Sequence, residues 1–390
     1  MDDDVGAVIR YDETSDFIGK GRFGFVFKCT LLETGEHYAV KQIPRLRFEA
    51  EGGVKEIDAL QHAQATDEGG HRNVIRYAGR RLANAHFVYI VMELSDETLQ
   101  QRIERKGMES PEARHSACRQ LCEGLRYLHT LPTGSITHRD LKPSNLLWKG
   151  DVLKIADMGQ SRILAMGETA VPTGSQGGTL GWMSPEEIAW DNGGSVNGGT
   201  PFRAHLSGDI HSAGSILFYI LTGGQHCFGS VGYKQQANIS DGKPSFIALA
   251  DVVAVDLVSR MVHRRKEGRL KISEVLAHPF FLTPTEKLDR IDALHESRPE
   301  EWAALTDRSR PAEDWRKPLS ELVALAGGSY GRSLQEAARL LRNLRAHFFE
   351  KDVAGRECVF GEAAGTAGRR DEVIVAAVGT RLPALFLQLL

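Results

Sequence analysis

The stretch HRDLKPSN, residues 138–145, decides how this 390-residue sequence is interpreted. Asp140 offers a carboxylate that can accept a proton from a substrate hydroxyl group, and Lys142 can neutralise charge on a phosphate. Asn145 supplies an amide oxygen that suits a metal ion. Together these side chains predict phosphoryl transfer to a hydroxyl group, because that reaction needs a base, a cation and a metal in one place.

A second acidic motif follows this stretch after a short apolar run. Residues 152–156, VLKIA, have the length and apolar character of a buried strand, and Asp157-Met158-Gly159 comes directly after them. A carboxylate at this point can hold Mg²⁺ against the phosphates of a nucleotide. Asp157 and Asn145 are therefore the two predicted metal ligands.

Three glycines, Gly19, Gly21 and Gly24, have GxGxxG spacing near the N-terminus. They lie within residues 17–28, FIGKGRFGFVFK, where phenylalanines occupy alternate positions as in a β-strand. A glycine hairpin over phosphates fits this pattern better than a dinucleotide-binding fold, in which the same spacing opens a helix. By itself, the spacing is also typical of an ordinary glycine turn.

A lysine and a glutamate in the next two elements favour the phosphate interpretation. Lys41 ends the run YAVK in a predicted strand at 37–43, and Glu56 lies in a segment with helical apolar spacing at 54–65. An ion pair between them would aim the ammonium group at the α and β phosphates of a nucleotide. An isolated lysine or glutamate is usually a solvated charge, but the order and spacing here favour a site.

The composition narrows the remaining classes of protein. Apolar residues make up 42% of the chain and charged residues 25%, which is ordinary for a globular protein of two or three domains. The net charge of −3 predicts no general affinity for nucleic acid, so any RNA contact needs a local patch. Five cysteines without paired spacing predict neither a disulfide framework nor a zinc site. Neither a signal peptide nor a membrane segment is predicted in this chain.

From about residue 11 to residue 282, this set of motifs resembles the eukaryotic protein kinase family, and its HRDLKPSN form resembles the Ser/Thr branch. The resemblance implies a bilobal kinase fold that uses ATP and Mg²⁺. It places Met92 at the gatekeeper position and the adenine-binding hinge at residues 93–95. The implied ATP-binding residues are Ile18, Gly19, Gly21, Gly24, Val26, Ala39, Lys41, Glu56, Met92, Glu93 and Ser95.

The same resemblance assigns residues that support the active site. Asp209 would brace the catalytic loop, and Glu186 would pair with Arg269. Two residues depart from the family pattern, since Met158 replaces a phenylalanine and Ser184 replaces an alanine. Neither change removes a charged group, so nucleotide binding and phosphoryl transfer are still expected.

The segment at 157–186 contains several hydroxyl groups. Thr173 and Ser175 are the expected autophosphorylation sites, although polar residues of a flexible loop are at least as common at any one such position. Thr179 is expected to have a structural role in support of the catalytic loop.

The last hundred or so residues contain enough apolar material for a small helical domain. A capping box at 333–336, SLQE, predicts the start of a helix. Asn343 and His347 are four residues apart and share one exposed face of that helix. Arg342 flanks this face, and Arg345 is expected to add further positive charge to it.

Such a face carries groups that metal-free RNA cleavage needs. The ribose 2′-hydroxyl attacks its neighbouring phosphate, so a base must take one proton and an acid must protonate the leaving 5′-oxygen. A cation must stabilise the charged intermediate, and histidine can serve on either side of the reaction. A histidine on a basic amphipathic helix is, however, more often an ordinary surface residue.

Residues 11–390 as a whole resemble the kinase–endoribonuclease pair of the inositol-requiring sensors of the unfolded protein response and of ribonuclease L. The resemblance is carried by GGTLGWMSPEE (177–187), DIHSAGSILFYILTGGQHCFG (209–229), QQANI (235–239), HPFF (278–281) and GRSLQEAARLLRNLRAH (331–347). It implies that His347 is a general acid or base and that Arg342 and Asn343 bind or orient the scissile phosphate. It also implies Tyr330 as a fourth catalytic group, with a register that is open by one position.

We therefore predict an α+β protein with a short tail at 1–10, a bilobal protein kinase domain at 11–282 and a small all-α kinase-extension nuclease domain at 283–390. The resemblance implies autophosphorylation and a homodimer or higher homo-oligomer, favoured by ATP or ADP, that cleaves stem-loop RNA without a metal. The expected location is cytoplasmic, or the cytosolic face of the endoplasmic reticulum if the chain is part of a longer one.

Two other functions remain open at this point. The chain could be a plain Ser/Thr kinase whose C-terminal helices bind a partner protein. It could also be a nucleotide-gated nuclease with a catalytically silent kinase. Loss of RNA cleavage on replacing His347 separates the first from the predicted function, and replacing Asp140 separates the second.

Overall fold

The computed structural model describes residues 4–21, 24–50, 53–66, 69–173, 177–191, 202–230, 232–296, 334–348 and 370–381, with positions 319, 322–323, 326, 356 and 386. The chain divides into two compact units, Met1–Leu249 with Leu257–Leu276, and Ala250–Asp256 with Ala277–Leu390. The predicted site residues Tyr330 and Ser175 lie outside the described residues. None of the helices in the described part of the chain has both the length and the apolar character required to cross a membrane.

The first unit begins with an antiparallel sheet of six strands in the order β1-β3-β4-β6-β5, and β2 pairs with β3. The strands are β1 (Ile9–Arg10), β2 (Phe17–Lys20), β3 (Phe25–Leu31), β4 (His37–Pro44), β5 (Tyr77–Ala83) and β6 (Phe87–Glu93). Lys41 lies opposite Val26 on β3 and Ile90 on β6. The predicted glycine hairpin and the predicted lysine strand are therefore neighbours in one sheet.

Residues 5–10 do not form the tail that the sequence suggested. Val5–Val8 form a short helix, α1, and β1 pairs with β3 so that Ile9 lies opposite Leu31. Ile9 is buried in the apolar cluster of the sheet, beside Phe27. A two-residue strand is too short to show an alternating pattern, which is why the sequence did not predict it.

Nine helices follow in the chain before residue 282: α2 (Arg45–Ala50), α3 (Gly53–Gln64), α4 (Leu99–Glu104), α5 (Pro111–His129), α6 (Pro185–Asp191), α7 (Leu206–Leu221), α8 (Tyr233–Asp241), α9 (Val252–Met261) and α10 (Ile272–Leu276) among the described residues. Ser110 caps the N-terminus of α5, and its side chain accepts a hydrogen bond from the backbone N–H of Ala113. Leu121 and Leu125 follow helical spacing along α5, and both are buried.

Seven short strands lie between these helices: β7 (Glu97–Thr98), β8 (Ile136–Thr137), β9 (Leu146–Lys149), β10 (Val152–Ile155), β11 (Arg162–Ile163), β12 (Ala170–Thr173) and β13 (Phe202–His205). Strands β9 and β10 form a hairpin in which Leu146 lies opposite Ile155. Asn145 directly precedes this hairpin and Asp157 follows it, so the fold brings the two predicted metal ligands to the same end.

The stretch at 190–208 is rich in glycine and turn-forming residues, a composition that is typical of a surface loop. Residues 202–205 form β13, which pairs with β12 so that Phe202 lies opposite Thr173. Residues 206–208 already belong to α7. Because turn-forming residues dominate the composition of this stretch, the sequence pattern does not predict the short strand near its end.

The second unit has three helices of eight or more residues in its described part after residue 282. Helices α11 (Pro284–Glu296), α12 (Leu334–His347) and α13 (Arg370–Arg381) pack against one another. Ala338, Leu341 and Leu344 of α12 are buried. This apolar stripe leaves the opposite side of α12 exposed.

Candidate functional site

A cavity of about 560 Å³ in the first unit lies between the glycine hairpin, strands β4 and β6, and the end of the β9–β10 hairpin. Its size is within the range of small-molecule sites. Lys142, Asn145 and Asp157 contribute to its wall. The predicted ATP-binding residues that line it are Ile18, Gly19, Gly21, Val26, Ala39, Lys41, Glu56, Met92, Glu93 and Ser95.

Gly24 is the predicted ATP-binding residue that does not line this cavity. Its Cα lies against the backbone of β4, and a Cβ there would collide with the carbonyl group of Gln42. A glycine at this position therefore allows the hairpin to approach β4 closely. The structure gives Gly24 a packing role, and the phosphate contact that the motif predicts stays a prediction.

Lys41 joins two carboxylates in the wall of the cavity. Its Nζ atom lies 2.6 Å from Glu56 Oε1 and 2.8 Å from Asp157 Oδ1. Burial by itself would lower the pKa of Lys41, but the two carboxylates raise that pKa above its ordinary value, so the ammonium group stays charged. The predicted Lys41–Glu56 ion pair is present, and it holds a cation where nucleotide phosphates can reach it.

Asn145 and Asp157 can offer oxygen atoms to a cation. The Nδ2 atom of Asn145 donates to the carbonyl oxygen and to Oδ2 of Asp140, at 2.8 and 3.1 Å, which leaves Asn145 Oδ1 as the oxygen for a metal. Burial opposes ionisation of Asp157, but Lys41 holds its pKa below the ordinary value. Because Mg²⁺ prefers carboxylate and carbonyl oxygens, these residues fit the metal that a nucleotide-dependent phosphoryl transfer uses.

Asp140, Lys142 and Thr179 form a closed triangle of hydrogen bonds. Thr179 Oγ1 donates to Asp140 Oδ1 at 2.6 Å, and Lys142 Nζ donates to Asp140 Oδ2 at 2.9 Å and to Thr179 Oγ1 at 2.7 Å. Thr179 thus contacts the catalytic loop, as the sequence predicted. The triangle orients a carboxylate beside a cation, which is the arrangement required of a base that serves phosphoryl transfer.

Asp209 braces the backbone that precedes Asp140. Its carboxylate accepts hydrogen bonds of 2.8 to 3.0 Å from His129 Nε2, from Thr137 Oγ1 and from the backbone N–H groups of His138 and Arg139. Burial opposes its ionisation, but the hydrogen bond and charge of His129 hold its pKa below the ordinary value. Arg139 has φ of 69°, which residues other than glycine seldom adopt. The brace therefore stabilises a strained turn.

Glu186 and Arg269 form the predicted ion pair, with both guanidinium nitrogens 2.7 Å from the carboxylate oxygens. Next to it, the family departure at Ser184 has a structural use. The backbone N–H and the hydroxyl of Ser184 both donate to Glu187 Oε2, at 2.9 and 2.8 Å. Burial raises the pKa of Glu187 to about 7, and the Ser184 hydrogen bonds oppose this rise.

The predicted phosphosite Thr173 is buried in this conformation, at 4% exposure. It lies in the β12–β13 pair, and Arg139 Nη1 donates to its Oγ1 at 3.3 Å. The hydroxyl group is therefore not accessible to another molecule unless this segment moves. The second predicted phosphosite, Ser175, falls outside the described residues.

Helix α12 carries three of the four predicted nuclease residues. Arg342 and His347 are exposed and Asn343 is partly exposed, while Leu341 and Leu344 are buried on the other side. The helix therefore presents an imidazole, an amide and a guanidinium group on one exposed arc. The fourth predicted residue, Tyr330, lies outside the described residues.

The prediction that Arg345 adds charge to this exposed face is wrong. The side chain of Arg345 is only 13% exposed, and it forms ion pairs with Asp289, Asp292 and Asp371. Helical spacing placed Arg345 at the edge of the basic face but contained no information about acidic residues on the neighbouring helices. Its charge is neutralised within the second unit.

Residues 13–281 of the chain match the family described as the protein kinase domain. This chain belongs to the protein kinase family. The matched residues include the glycine hairpin, Lys41, Glu56, the catalytic loop and Asp209. The match therefore includes every residue described above for the site in the first unit.

Three curated relatives match a longer part of this kinase. The human serine/threonine-protein kinase/endoribonuclease IRE2 is 32% identical over 88% of this chain and 38% of its own length. The serine/threonine-protein kinase/endoribonuclease ire-1 of Caenorhabditis elegans is 28% identical over 89% of this chain and 36% of its own. The sensor for unfolded proteins in the ER ire1 of Schizosaccharomyces pombe is 27% identical over 88% and 34%. The chain spans little more than a third of the length of these relatives.

The nucleotide cavity of this kinase includes two residues that sequence reasoning missed, Thr98 and Gln101. They form a capping box at the start of α4, in which Thr98 Oγ1 accepts a hydrogen bond from the backbone N–H of Gln101 at 3.1 Å. The signal was present in the sequence as T-x-x-Q before a helix. That signal predicts where the helix starts, but not that its first turn borders a cavity.

Proposed function

We propose that this chain is a Ser/Thr protein kinase that transfers the γ-phosphoryl group of ATP to a protein hydroxyl group. The observation that carries the proposal is the hydrogen-bonded triangle of Asp140, Lys142 and Thr179 beside the cavity that Lys41 and Asp157 line. Asp140 takes the proton of the hydroxyl group as its oxygen bonds to phosphorus and ADP leaves. Lys142 offsets the charge on the phosphoryl group during transfer.

Different walls of the cavity bind different parts of the nucleotide. The hinge at residues 93–95 receives the adenine, and Lys41, held by Glu56, orients the α and β phosphates. Asn145 and Asp157 would hold Mg²⁺, which offsets the charge of the β and γ phosphates when bound. This division concentrates the groups that serve phosphoryl transfer at one end of the cavity.

Autophosphorylation of Thr173 and Ser175 is part of this proposal. Arg139 already donates a hydrogen bond to Thr173, so a phosphate on this segment would find a guanidinium group close by. The burial of Thr173 requires the β12–β13 pair to open before a second kinase molecule can reach it. Modification of this segment is therefore expected in trans and only after local opening.

We infer a second activity, metal-independent endoribonuclease cleavage of stem-loop RNA, for the second unit. The exposed arc of α12 supports it, because Arg342, Asn343 and His347 face solvent together. The relatives named as kinase/endoribonucleases support it as well, since their similarity extends over 88 and 89% of this chain. A plain kinase with a C-terminal protein-binding module would not require this combination of side chains on one arc.

The proposed cleavage is a transesterification. The ribose 2′-oxygen bonds to phosphorus as its proton leaves, the bond from phosphorus to the 5′-oxygen breaks, and a 2′,3′-cyclic phosphate and a 5′-hydroxyl remain. His347 takes or gives one of the two protons in transit, and Tyr330 is the proposed fourth group. Arg342 and Asn343 hold oxygens of the scissile phosphate. No metal is needed in this scheme, because the guanidinium group supplies the positive charge.

We propose that a nucleotide in the cavity favours a homodimer that assembles the nuclease site, at the cytosolic face of the endoplasmic reticulum or in the cytoplasm. The reason to expect coupling is that ATP or ADP binds the folded kinase and so selects the conformation that binds it best. Cleavage should then rise more steeply than linearly with protein concentration. A silent kinase that only senses nucleotide would give the same dependence without phosphotransfer.

The test is cleavage of a labelled stem-loop RNA in EDTA by wild-type protein and by His347→Ala, with Gln335→Ala as the matched control on the exposed side of the same helix. We expect His347→Ala to lower cleavage by at least about 100-fold, as for loss of a general acid or base, and Gln335→Ala to retain it. Cleavage should rise when ADP is present. Equal cleavage by wild type and His347→Ala would refute the nuclease assignment and favour the protein-binding alternative.

A parallel assay measures transfer of labelled phosphate from Mg²⁺-ATP to the protein itself and to a generic Ser/Thr substrate. Asp140→Asn should lower transfer by about 10²- to 10⁴-fold while nucleotide affinity stays within about threefold. If the wild-type protein transfers no phosphate yet cleaves RNA in a nucleotide-dependent manner, the silent-kinase alternative is correct.

A further inference from the structure

Arg345 lies within the same helical motif as the proposed nuclease residues, but its surroundings differ from theirs. Its Nη1 atom donates to Asp289 Oδ1 at 2.7 Å and to Asp292 Oδ2 at 2.8 Å. Its Nε and Nη2 atoms donate to the two carboxylate oxygens of Asp371, at 3.3 and 2.9 Å. One guanidinium group therefore connects α12 to α11, which carries Asp289 and Asp292, and to α13, which carries Asp371.

These four hydrogen bonds occupy most of the donor capacity of Arg345. A guanidinium group has five N–H donors in a fixed plane, and four of them are used here. One of the five donors, on Nη2, is not used in these bonds, so a phosphate could form a bidentate contact with Arg345 only by displacing a carboxylate that is already aligned with it. Arg345 is therefore not arranged as a second bidentate phosphate-binding arginine beside Arg342.

A second arginine reinforces the same connection. Arg370 Nε donates to Asp371 Oδ1 at 2.8 Å, and Arg370 Nη1 donates to the backbone carbonyl of Arg345 at 3.2 Å. That carbonyl belongs to the last turn of α12, where backbone acceptors have no partner within the helix. The last turn, which includes His347, is thus held by a side chain from the neighbouring helix.

The charges explain why this cluster has a defined geometry. Three carboxylates and two guanidinium groups meet, and the buried Asp371 has a pKa below its ordinary value, because the arginines outweigh the opposing effect of burial. Bidentate pairs between arginine and carboxylate restrict direction as well as distance. A change in the rotation or axial position of α12 would break several of these bonds together.

We propose that Arg345 is a positioning residue of the nuclease: it fixes the rotation of α12 so that Arg342, Asn343 and His347 face the RNA together, and it does not itself bind RNA. This inference rests on the nuclease function proposed above. It makes the two arginines of the motif opposite in role, since Arg342 is exposed and Arg345 is paired inside the unit. Small errors in placement of catalytic groups can lower a rate by about 100-fold, so positioning alone gives a measurable effect.

The experiment compares Arg345→Lys and Arg345→Ala with Arg342→Ala in steady-state RNA cleavage at several salt concentrations. Arg345→Ala should lower kcat by about 10- to 100-fold with KM for RNA within about twofold, and Arg345→Lys should recover part of the loss. The slope of the logarithm of RNA affinity against the logarithm of salt concentration, called the salt slope below, should be unchanged in Arg345→Ala and in Arg345→Lys. Arg342→Ala should raise KM and reduce the salt slope by about 0.7, as expected for one lost phosphate contact to a single strand.

Asp292→Asn serves as a second variant if Arg345→Ala does not fold. It removes one of the negative charges that face Arg345, although the amide oxygen can still accept a hydrogen bond, and it lies on α11, away from the motif. Its expected result is a lower kcat by about three- to tenfold with an unchanged salt slope. A reduced salt slope in Arg345→Ala, which lacks the positive charge, would overturn the proposal and make Arg345 an RNA contact. Wild-type kcat and KM in Arg345→Ala would overturn it too.

The failure of the nuclease function itself would look different. In that case the wild-type protein would not cleave RNA, or His347→Ala would cleave as well as wild type. The Arg345 variants would then be compared by their unfolding transitions alone. If the second unit of Arg345→Lys unfolded as cooperatively as that of the wild type, this result would count against a positioning role.

Discussion

The catalytic loop of the first unit and helix α12 of the second unit prepare similar chemical groups in different ways. In the loop, Asp209 accepts four hydrogen bonds that hold the backbone, and Arg139 has a strained φ of 69°. In α12, the backbone is held by its own helical hydrogen bonds, and the reactive side chains lie on an exposed arc. A loop needs buried side chains to define its course, whereas a helix needs only to be rotated correctly.

The largest effect should come from removing the brace of the loop. Asp209→Ala leaves the donors of His129, Thr137 and two backbone N–H groups buried without their acceptor, so we expect a loss of about 3–5 kcal/mol in the free energy of unfolding. Phosphotransfer should fall with it. Chemical denaturation, followed by fluorescence and by phosphotransfer activity, measures both quantities.

The matched control for this change is Asp241→Ala. The Asp241 side chain is 52% exposed and pairs with Lys243 at the surface, so its loss should leave the free energy of unfolding close to the wild-type value. If Asp209→Ala were no more destabilising than Asp241→Ala, the hydrogen bonds to Asp209 would not be what holds the loop.

A smaller effect concerns pH and the buried Glu187. Its ordinary pKa of 4.5 applies to the unfolded chain, whereas burial raises the pKa in the folded protein to about 7. Between these values the folded state binds more protons than the unfolded state. The contribution of Glu187 to stability is therefore fully present below pH 4.5 and is lost as the pH rises through about 7. Ser184, Glu186 and Arg139 are the groups that act on this carboxyl group.

Glu187→Gln should therefore flatten the dependence of unfolding free energy on pH between about pH 5 and pH 8. Relative to wild type, its free energy of unfolding should be most favourable at the higher pH. Thermal melts across this range measure it, with Glu109→Gln at an exposed position as the control. The same slope in Glu187→Gln and wild type would mean that another group is responsible for it.

The smallest effect is expected for the exposed residues of α12. Arg342→Ala and His347→Ala should each change the free energy of unfolding by no more than about 0.5 kcal/mol, although both are expected to impair the proposed cleavage. Leu341 is next to Arg342 in the chain and is 2% exposed, so Leu341→Ala should lower the free energy of unfolding by about 2–5 kcal/mol. Helical circular dichroism during chemical denaturation compares the three variants, and a large loss in His347→Ala would show that this histidine is part of the fold.

The residues that the sequence predicted well are those whose order along the chain carries chemical meaning. Lys41, Glu56 and Asp157 meet at one cavity as expected, because each lies in, or directly after, a strand or helix whose periodicity was readable. Asn145 joins them as a member of the HRDLKPSN motif. Strand β1, which contains Ile9, and strand β13 were not predicted, since both strands are too short to show a period. The packing of Gly24 against β4 was not predicted either, because the motif shows spacing but not which backbone the glycine approaches.

Arg345 marks the limit of sequence reasoning most clearly. Helical spacing correctly placed it on α12, near Arg342 and His347. Its acidic partners are 26 or more positions away along the chain, on other helices. No local pattern can report which distant carboxylates pack beside a given arginine.

The sequence by itself determined the protein kinase family, the residues predicted as base, cation and metal ligands, and the amphipathic character of α12, because these depend on residue type and on local periodicity. Only the tertiary structure decided which charges reach solvent and which are neutralised inside. Buried Asp209 and half-buried Arg345 acquire their roles from partners brought together by packing. Burial and charge pairing are properties of the folded surroundings, and therefore they cannot be read from neighbours in the chain.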